Sequence, residues 1–413
     1  MVADAKILND SARSLKKNDY RAIFIYTLFA VLIRIVIEGS VYSPVDFFVY
    51  KFTANNIFSG KEIIGVLIED DLIGSKGLPF VYTPGAAVLL SPLAWIGAWP
   101  AYYMWTAASA WCFFYISLKA IRWSLFKPGK LVIFLVLAVT LATNVYMHHI
   151  IFGQINVFLA ALIIYDLTRS SARIPVGFYV GIAAAIKLTP AIFILYLFWV
   201  KEWSKAGWSL AGAVSLTILG AAFLPRETLQ YFSYELFNLS TTVSLDGFFT
   251  TSGNGSLSGV LSRHLGIEQG TWWSTVVSLV LIPVFMTIST GWWKSGEKII
   301  GVCLIGILAC LVSPVSWTHH WVYLIPASIM LVFSANLASK FFGMLCFLVM
   351  CFQVPDLGDW AMQNSSHDMV GIYSLMQASM VFCGLFLVPI GFYFKGKSAG
   401  SIFDPADLPR VPN

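Results

Sequence analysis

The sequence predicts an all-α polytopic membrane protein, and three observations support this prediction. Of the 413 residues, 58% are hydrophobic and 11% are charged, whereas soluble globular chains contain about 25% charged residues. The mean hydropathy is +0.76. The apolar residues form unbroken runs of helix length, not the alternating segments of about 10 residues typical of a transmembrane barrel. This composition excludes a soluble enzyme, a disordered chain, a nucleic-acid-binding module and a disulfide-built secreted domain.

The first predicted span is the apolar run 22–37, which follows a basic tail at residues 1–21. No small-residue cleavage site follows this run, so we predict a retained helix and not a signal peptide. Lys and Arg are enriched in cytoplasmic segments of membrane proteins, which places the amino terminus in the cytoplasm.

Two stretches need a separate interpretation. Residues 84–98 form a short run that is interrupted by Pro92, which predicts a juxtamembrane or re-entrant helix on the outer side. Residues 175–200 carry Lys187 and Pro190 in the middle and basic residues at both ends, which predicts two short helices that turn near Lys187. The other apolar runs of helix length lie at 101–118, 131–147, 154–168, 208–224, 272–290, 299–313, 321–337, 341–354 and 370–392.

Together these runs predict one integral membrane domain over residues 1–413 with about 12 transmembrane helices and both tails, 1–21 and 393–413, in the cytoplasm. Most of the 26 Lys and Arg residues then fall in cytoplasmic segments, in agreement with the positive-inside rule. The two longest outer loops are 38–100, which contains the juxtamembrane helices, and 225–271. Long loops of this kind are usually functional, so we place the working face outside.

The six cysteines all lie in apolar runs, without a CxxC pair or a metal-ligand spacing. We interpret them as small core residues, and they do not indicate the redox compartment.

Asp46 is the candidate catalytic base. It is a lone carboxylate among aromatic and aliphatic residues just after the first helix. Burial raises the pKa of a carboxylate and suits it to take up a proton. The alternative is an Asp that caps the following turn.

Three further charges lie within or beside apolar segments. Arg34 and Glu38 are four residues apart on one helix face, where they either mark a functional cavity or neutralise each other. Lys187 is costly in its apolar surroundings unless it meets an anion, for which a lipid phosphate is the obvious choice. Its alternative is to extend toward the headgroups.

Two histidine pairs and one polar loop complete the candidates. His148 with His149 and His319 with His320 suit polar contacts beside an aromatic belt, or are ordinary interfacial histidines. The loop 251–264 carries Asn254 and Arg263, which suit a sugar or phosphate, unless the loop is only a flexible connection. The sequence has no GxGxxG or HExxH motif. The Walker-type and GxSxG spacings at 391–400 lie at the end of an apolar run and not in a loop after a strand, so the sequence argues against ATP-driven transport and soluble-type hydrolases. Residues 69–71 are acidic and fit a solvated charge run, which leaves a metal requirement open.

Six short segments, taken in order, resemble the family-87 glycosyltransferases of the GT-C superfamily. These are polyprenyl-phosphate-mannose-dependent membrane mannosyltransferases and include the mycobacterial phosphatidylinositol-mannoside mannosyltransferases. The resemblance covers about residues 20–335 and departs from the family pattern at Gly85 and Gly255. The segments are Asp46-Phe47-Phe48-Val49-Tyr50, Tyr82-Thr83-Pro84, Gly153-Gln154-Ile155-Asn156, Lys187-Leu188-Thr189-Pro190, Asn254-Gly255-Ser256 with Arg263, and Ser313-Pro314-Val315-Ser316-Trp317-Thr318-His319-His320.

The resemblance implies a GT-C fold in a bacterial inner membrane, with the active site at the outer boundary. It implies a polyprenyl-phosphate-linked sugar as donor, a glycolipid or glycan as acceptor and membrane lipids as surroundings. We expect no cofactor and no nucleic acid, and the metal requirement stays open. Transfer would invert the anomeric centre with Asp46 as general base. The donor phosphate and sugar would be bound by Lys187, Asn254, Arg263, His319 and His320. Further pocket candidates are Arg34, Glu38, Tyr50, Tyr82, His149, Gln154 and Asn156.

Three alternatives stay open from the sequence alone. A transporter or flippase for a lipid-linked sugar shares the intramembrane charges, but it would be expected to show internal repeats and paired broken helices. A scaffold subunit without catalysis would not need the clustered outer charges. An enzyme of another GT-C branch would differ in acceptor and sugar. Mannose is implied only by the family. A composition with Lys and Ile in place of much Ala and Arg argues against a mycobacterial source, so the acceptor need not be an inositol mannoside.

Overall fold

A computed structural model of the chain describes residues 16–37, 44–124, 128–169, 173–238, 250–364 and 369–398. Helices form nearly all of its regular structure, which confirms the all-helical fold class. The α-helices are α1 (Lys17–Ile37), α2 (Val45–Ser59), α3 (Pro84–Leu90), α4 (Ala98–Trp123), α5 (Lys130–Ala142), α6 (Asn144–Phe152), α7 (Asn156–Thr168), α8 (Phe178–Ile186), α9 (Ala191–Trp199), α10 (Trp203–Phe223), α11 (Pro225–Gln230), α12 (Leu257–Leu265), α13 (Ile267–Lys294), α14 (Lys298–Val312), α15 (Leu324–Val332), α16 (Leu337–Cys351), α17 (Val354–Asn364), α18 (Val370–Gln377), α19 (Ser379–Phe382) and α20 (Val388–Ser398).

Short irregular elements complete the architecture. Strands β1 (Leu67–Asp70) and β2 (Gly74–Pro79) form an antiparallel hairpin in which Leu67 pairs with Pro79. This hairpin lies in the first long loop and was not predicted from the sequence. Tight 3-10 turns occupy Ser91–Trp95 and Thr318–Tyr323, and wide π turns occupy Tyr231–Glu235 and Cys383–Leu387.

Three stretches of helix in the described part of the chain are long and apolar enough to cross a membrane. They are Trp203–Phe223, Ile267–Lys294 and Ser379–Gly396. Two bent pairs, α5 with α6 and α16 with α17, would add two more if each is a single span. The chain is therefore a membrane protein, and the count of 12 spans stays a prediction.

The interruption predicted at Lys187 is confirmed, because α8 ends at Ile186 and α9 begins at Ala191. The stretch 84–98 is short and broken as predicted, with α3 followed by a 3-10 turn that has Pro92 near its start. The run predicted at 131–147 is bent and not straight, because α5 and α6 meet at an angle of 57°, and its crossing as one span stays a prediction. Thr143 lies at this bend, where its hydroxyl donates to the Thr140 carbonyl (2.7 Å) and accepts from the Tyr146 amide (3.3 Å).

The centre of the molecule is built around α14 and α15. Residues 299–311 are buried without interruption along α14, as are residues 324–331 along α15. A helix that is apolar all round is stable where no side faces water, and protein groups enclose these two segments. Four cysteines are buried and two are partly buried, and all six are free, which confirms their interpretation as small packing residues.

A buried carboxylate fixes the start of α8, the helix that leads to Lys187. Asp166 accepts hydrogen bonds from the backbone amides of Gly177 and Val180, each at 3.0 Å, and pairs with Arg169 at 2.6 Å. Amides at the start of a helix lack partners within the helix, so a carboxylate stabilises them. The position of α8 relative to α7 therefore depends on this group, which sequence analysis did not identify.

Candidate active site

A continuous chain of polar contacts joins Asp46 to His320. The Gln154 Nε2 donates to Asp46 Oδ2 at 2.6 Å, and the Asn156 Nδ2 donates to Gln154 Oε1 at 3.1 Å. The Lys187 Nζ donates to Asn156 Oδ1 at 2.9 Å and lies 3.3 Å from His320 Nε2. We call these five side chains the polar network. The sequence analysis predicted all five as site residues, and the fold brings them together from four separate segments.

Asp46 lies in the first turn of α2 but does not cap it. The N-cap position is Pro44, and the structure shows no side-chain capping hydrogen bond there, so the capping alternative is wrong. Phe47 and Phe48 are fully buried beside it. Burial raises the pKa of Asp46 from 3.8 to about 6, against the opposing effects of the Gln154 hydrogen bond and the Lys187 charge. Asp46 is therefore a stronger base than an exposed carboxylate and is still ionised at neutral pH.

Gly153 brings Gln154 up to Asp46. It ends α6 in the left-handed conformation, with φ of 70°. A Cβ at this position would lie 2.4 Å from the Cβ of Phe47, the neighbour of Asp46. Glycine adopts this φ without a steric cost and leaves room for α2. Gly153 therefore allows the end of α6 to pack closely against α2, which places Gln154 beside Asp46.

Lys187 lies at the break between α8 and α9. Its ammonium group contacts Asn156 and His320 and stands 5.7 Å from the ring centre of Tyr82. A small cavity of about 40 Å³ opens beside it. The ammonium thus faces protein groups and a mostly apolar cavity that has a few polar side chains in its wall. The cavity is lined by Asn156, Leu159, Lys187, Thr189, Pro190, Phe193, Gly306, Ala309, Cys310, Ser316, His320 and Tyr323.

Two tyrosines close the network on the side of the first loop. The hydroxyls of Tyr50 and Tyr82 lie 2.9 Å apart, and their rings meet edge to face. The next residue, Thr83, donates to the Ala185 carbonyl at 2.5 Å and caps α3 by accepting from the Ala86 amide. This anchor holds Tyr82 next to the end of α8, and so next to Lys187.

The histidines take different places. His149 is fully buried, and its Nε2 accepts from the Val157 amide at 3.0 Å, so it caps the start of α7. The ring of His319 lies 4.8 Å from that of His320, and neither of its nitrogens has a hydrogen-bond partner among the described residues. His149 thus supports the segment that carries Asn156, and His319 borders the network. No cluster of three or more His, Cys, Asp or Glu suited to a metal occurs in the described ranges.

Comparison with known proteins identifies the family. The model of glycosyltransferase family 87 matches residues 80–314, more than half of the chain. The chain belongs to glycosyltransferase family 87. The resemblance found in the sequence is confirmed, and the protein is an enzyme. The matched range includes Tyr82, Gln154, Asn156 and Lys187 of this family-87 glycosyltransferase, whereas Asp46 lies before it.

The family-87 glycosyltransferase also has named relatives. It is 27% identical over 299 residues to a Mycobacterium tuberculosis protein named polyprenol-phosphate-mannose-dependent alpha-(1-2)-phosphatidylinositol mannoside mannosyltransferase. The aligned residues cover 68% of this chain and 69% of the relative. It is 28% identical over 254 residues to a Mycolicibacterium smegmatis protein with the corresponding pentamannoside name, which covers 60% of each chain. No solved structure matches the chain.

Asn254 and Arg263 of the family-87 glycosyltransferase stabilise a loop. Asn254 is fully buried, and its Oδ1 accepts from the Ser316 amide at 2.9 Å. Arg263 donates to the backbone carbonyls of Thr251 and Asn254, the latter at 3.2 Å. The described part of the loop is thus docked, and the flexible-loop alternative is wrong for it. Among the described residues these contacts do not reach the polar network, so donor binding by either residue stays a prediction.

The structure does not describe the side chains of two candidate pocket residues. Glu38 lies outside the described residues. Arg34 is described only as part of α1, without its side chain. Their placement in the pocket stays a prediction.

Sequence analysis missed an acidic pair on α17. Asn144 donates to Asp356 at 3.0 Å and Gln377 donates to Asp359 at 2.6 Å. The Ser252 hydroxyl also contacts Asp359. The signal was two aspartates three residues apart in an otherwise apolar helix, which places both on one face. These contacts join the loop at 252, the bend at 144 and the last helices of this glycosyltransferase.

Replacing Gly153 with Ala is expected to destabilise the enzyme by about 2 to 5 kcal/mol. The left-handed conformation costs a residue with a Cβ about 1 to 2 kcal/mol, and overpacking against Phe47 adds about 1 to 3 kcal/mol. Glycosyl transfer should fall about 100-fold, because Gln154 moves away from Asp46. Thermal unfolding in detergent and a transfer assay measure the two effects. Gly207→Ala is the control, since a Cβ there meets nothing within 4 Å. Equal behaviour of the two variants would contradict the role of Gly153.

Proposed function

We propose that this glycosyltransferase transfers a mannosyl residue from polyprenyl-phosphate-mannose to a hydroxyl group of a glycolipid or glycan acceptor. The observation that carries this proposal is the polar network, with a base at one end and a cation at the other. The names of the curated relatives support the donor, and they support a phosphatidylinositol mannoside as one candidate acceptor.

The proposed reaction is a direct displacement that inverts the anomeric carbon. Asp46 takes the proton of the acceptor hydroxyl while its oxygen forms a bond to the anomeric carbon. The bond from that carbon to the phosphate oxygen breaks, and its electron pair leaves with the polyprenyl phosphate. The network contains a single carboxylate, whereas a retaining glycoside reaction uses a second one as nucleophile. Because phosphate leaves readily, no general acid is needed.

The two amides keep the charges of the network apart. Gln154 and Asn156 stand between the Asp46 carboxylate and the Lys187 ammonium. A direct ion pair would lower the pKa of the carboxylate and occupy the cation. With the amides between them, Asp46 is free to accept a proton and Lys187 has a hydrogen left for a phosphate oxygen. Fixed donors aimed at developing charge are among the largest contributions to catalysis.

The donor's lipid tail has an apolar surface next to Lys187. Leu188 follows the lysine directly and is 54% exposed, and Leu195 on α9 is 50% exposed. A polyprenyl chain on this surface would leave its phosphate at the ammonium group. We further propose that the reaction takes place at the outer boundary of the membrane, supported by the contribution of the predicted outer loop 38–100 to the network.

The rate of transfer is expected to fall below a pH of about 6. Asp46 must be ionised to accept the proton, and its pKa of about 6 sets the pH at which half of it is protonated. Below this value kcat/KM should fall tenfold for each pH unit, and above it kcat/KM should be constant until another group titrates. A profile of kcat/KM from pH 4.5 to pH 8 in lipid nanodiscs measures this. A midpoint near 4 would show that the base is exposed or is another group.

The direct test uses purified protein in lipid nanodiscs with radiolabelled polyprenyl-phosphate-mannose and a bacterial glycolipid extract. Label is expected to move into glycolipid, in the anomeric configuration opposite to that of the donor. Donors that carry glucose or arabinose serve as controls for the sugar. If none of the three donors supports transfer, the proposed reaction is wrong. Movement of a fluorescent lipid-linked sugar across a vesicle membrane would then favour the flippase.

A further inference from the structure

A second and larger cavity lies outside the polar network. Its volume is about 260 Å³. It is enclosed by the segment before β1, the end of β2 and the π turn that follows α11. It therefore lies between residues of the two long predicted outer loops, 38–100 and 225–271. Its lining consists of Ile64, Gly65, Val66, Leu67, Pro79, Phe80, Val81, Tyr231, Tyr234 and Glu235.

The chemistry of this cavity suits a neutral sugar ring. Phe80, Tyr231 and Tyr234 provide aromatic surface for the apolar C–H groups of a pyranose. Glu235, the tyrosine hydroxyls and the backbone of 64–67 provide hydrogen-bond partners for its hydroxyls. No basic residue is among the described residues that line it, so the cavity does not suit a phosphate. A mostly apolar pocket with a few fixed polar groups is the usual form of a small-ligand site.

The carboxylate of this cavity is held in place. The Gln230 Nε2 donates to the Ile64 carbonyl at 3.1 Å and to Glu235 Oε1 at 3.3 Å. Both side chains approach Gly65 so closely that a Cβ there would lie 2.5 Å from Gln230 Nε2 and from Glu235 Oε1. With φ of 73°, Gly65 has the conformation that favours glycine. The segment before β1 thus leaves space for the Glu235 carboxylate, which is a fixed hydrogen-bond acceptor at the cavity wall.

One aromatic layer separates this cavity from the polar network. The ring of Phe80, which lines the cavity, lies 5.5 Å from that of Tyr82. Tyr82 in turn contacts the hydroxyl of Tyr50 and faces the ammonium of Lys187. Tyr234 is 62% exposed, which leaves the cavity accessible from outside the molecule. A sugar held here is therefore within a short distance of the reacting groups.

We propose that this cavity binds a neutral sugar ring of the acceptor, next to the unit that receives the mannose. This inference rests on the proposed function, because only a transferase has an acceptor. It assigns the acceptor to the side of Tyr82 that contacts Phe80, whereas the proposed donor phosphate lies at Lys187. It also makes the hairpin and the α11 region the part of the enzyme that selects the acceptor.

The test compares Tyr234→Ala and Glu235→Gln with Phe237→Ala. Phe237 is an exposed aromatic residue on the same segment and is not part of the lining. Transfer from radiolabelled polyprenyl-phosphate-mannose is measured against the concentration of an octyl α-mannobioside, which has one ring to receive the mannose and a second ring for the cavity, and, separately, against the concentration of donor. Loss of a hydrogen bond or an aromatic contact should raise the acceptor KM about tenfold in the two cavity variants, with the donor KM within twofold of wild type. Phe237→Ala should match wild type in both values.

Binding without donor separates the two proposals. Saturation-transfer NMR with the octyl α-mannobioside, in nanodiscs without donor, should show contacts to its second ring in wild type and lose them in the cavity variants only. Transfer with an unchanged acceptor KM in both cavity variants would overturn the cavity assignment and leave the proposed function standing. Binding lost only in the cavity variants, without transfer by wild type, would show that the cavity binds a sugar but would overturn the proposed function and, with it, the assignment of that sugar to an acceptor. No binding and no transfer would overturn both.

Discussion

Asp46→Asn is expected to reduce mannosyl transfer by about 1,000-fold, the largest effect of any single substitution in the chain. A positioned general base contributes about 10²- to 10⁴-fold. Asn has nearly the same shape as Asp, and its Oδ1 can still accept the hydrogen bond from Gln154. The substitution therefore removes the proton acceptor while it leaves the network's geometry in place. The initial rate with saturating polyprenyl-phosphate-mannose measures the loss.

Asp71→Asn is the matched control, because it makes the same chemical change at an exposed aspartate in the turn of the hairpin, which is not part of the cavity lining. It should transfer mannose at the wild-type rate. The unfolding temperature of Asp46→Asn should be at or above that of wild type, because burial of the carboxylate disfavours its charged form. If Asp46→Asn keeps transferring within tenfold of wild type, Asp46 is not the base. A general loss of folding would instead assign it a structural role.

The sequence was most informative where a polar residue interrupts an apolar pattern. Asp46 follows the first helix among aromatic residues, and Lys187 splits an apolar run beside Pro190. Both features have a local physical cause, since an isolated charge in apolar surroundings is costly and needs a partner. The break at Lys187 and the burial around Asp46 could therefore be predicted without knowledge of the tertiary structure.

The contacts between segments could not be predicted in the same way. Gln154 meets Asp46 across 108 positions of the chain, and Asn144 meets Asp356 across 212. A pairing over such distances depends on how the helices pack, not on a local periodicity. The same limit explains His149, a predicted pocket residue that instead caps α7 through the Val157 amide. The hairpin was missed because its strands are short and contain two glycines, which weakens any alternating pattern.

Lys187→Met is expected to reduce kcat/KM for the donor by about 100- to 1,000-fold. Removal of one fixed group that stabilises a developing negative charge typically costs this much. Met fills a similar volume without the charge, so the unfolding temperature should change by no more than about 4 °C. Lys51→Met is the matched control, since Lys51 is also buried and donates to an amide, that of Asn55, at 2.8 Å. Its variant should bind and use the donor normally.

The pH profile distinguishes a catalytic from a structural lysine. The positive charge of Lys187 lowers the pKa of Asp46, so its loss should raise that pKa above about 6. Because the base must be ionised, the fall in kcat/KM at acidic pH should begin at a higher pH in Lys187→Met than in wild type. This shift requires only that the two charges interact, and it does not depend on donor affinity. An unfolding temperature lowered well beyond 4 °C, with a pH profile like that of wild type, would assign Lys187 to the fold and leave the phosphate without its proposed partner.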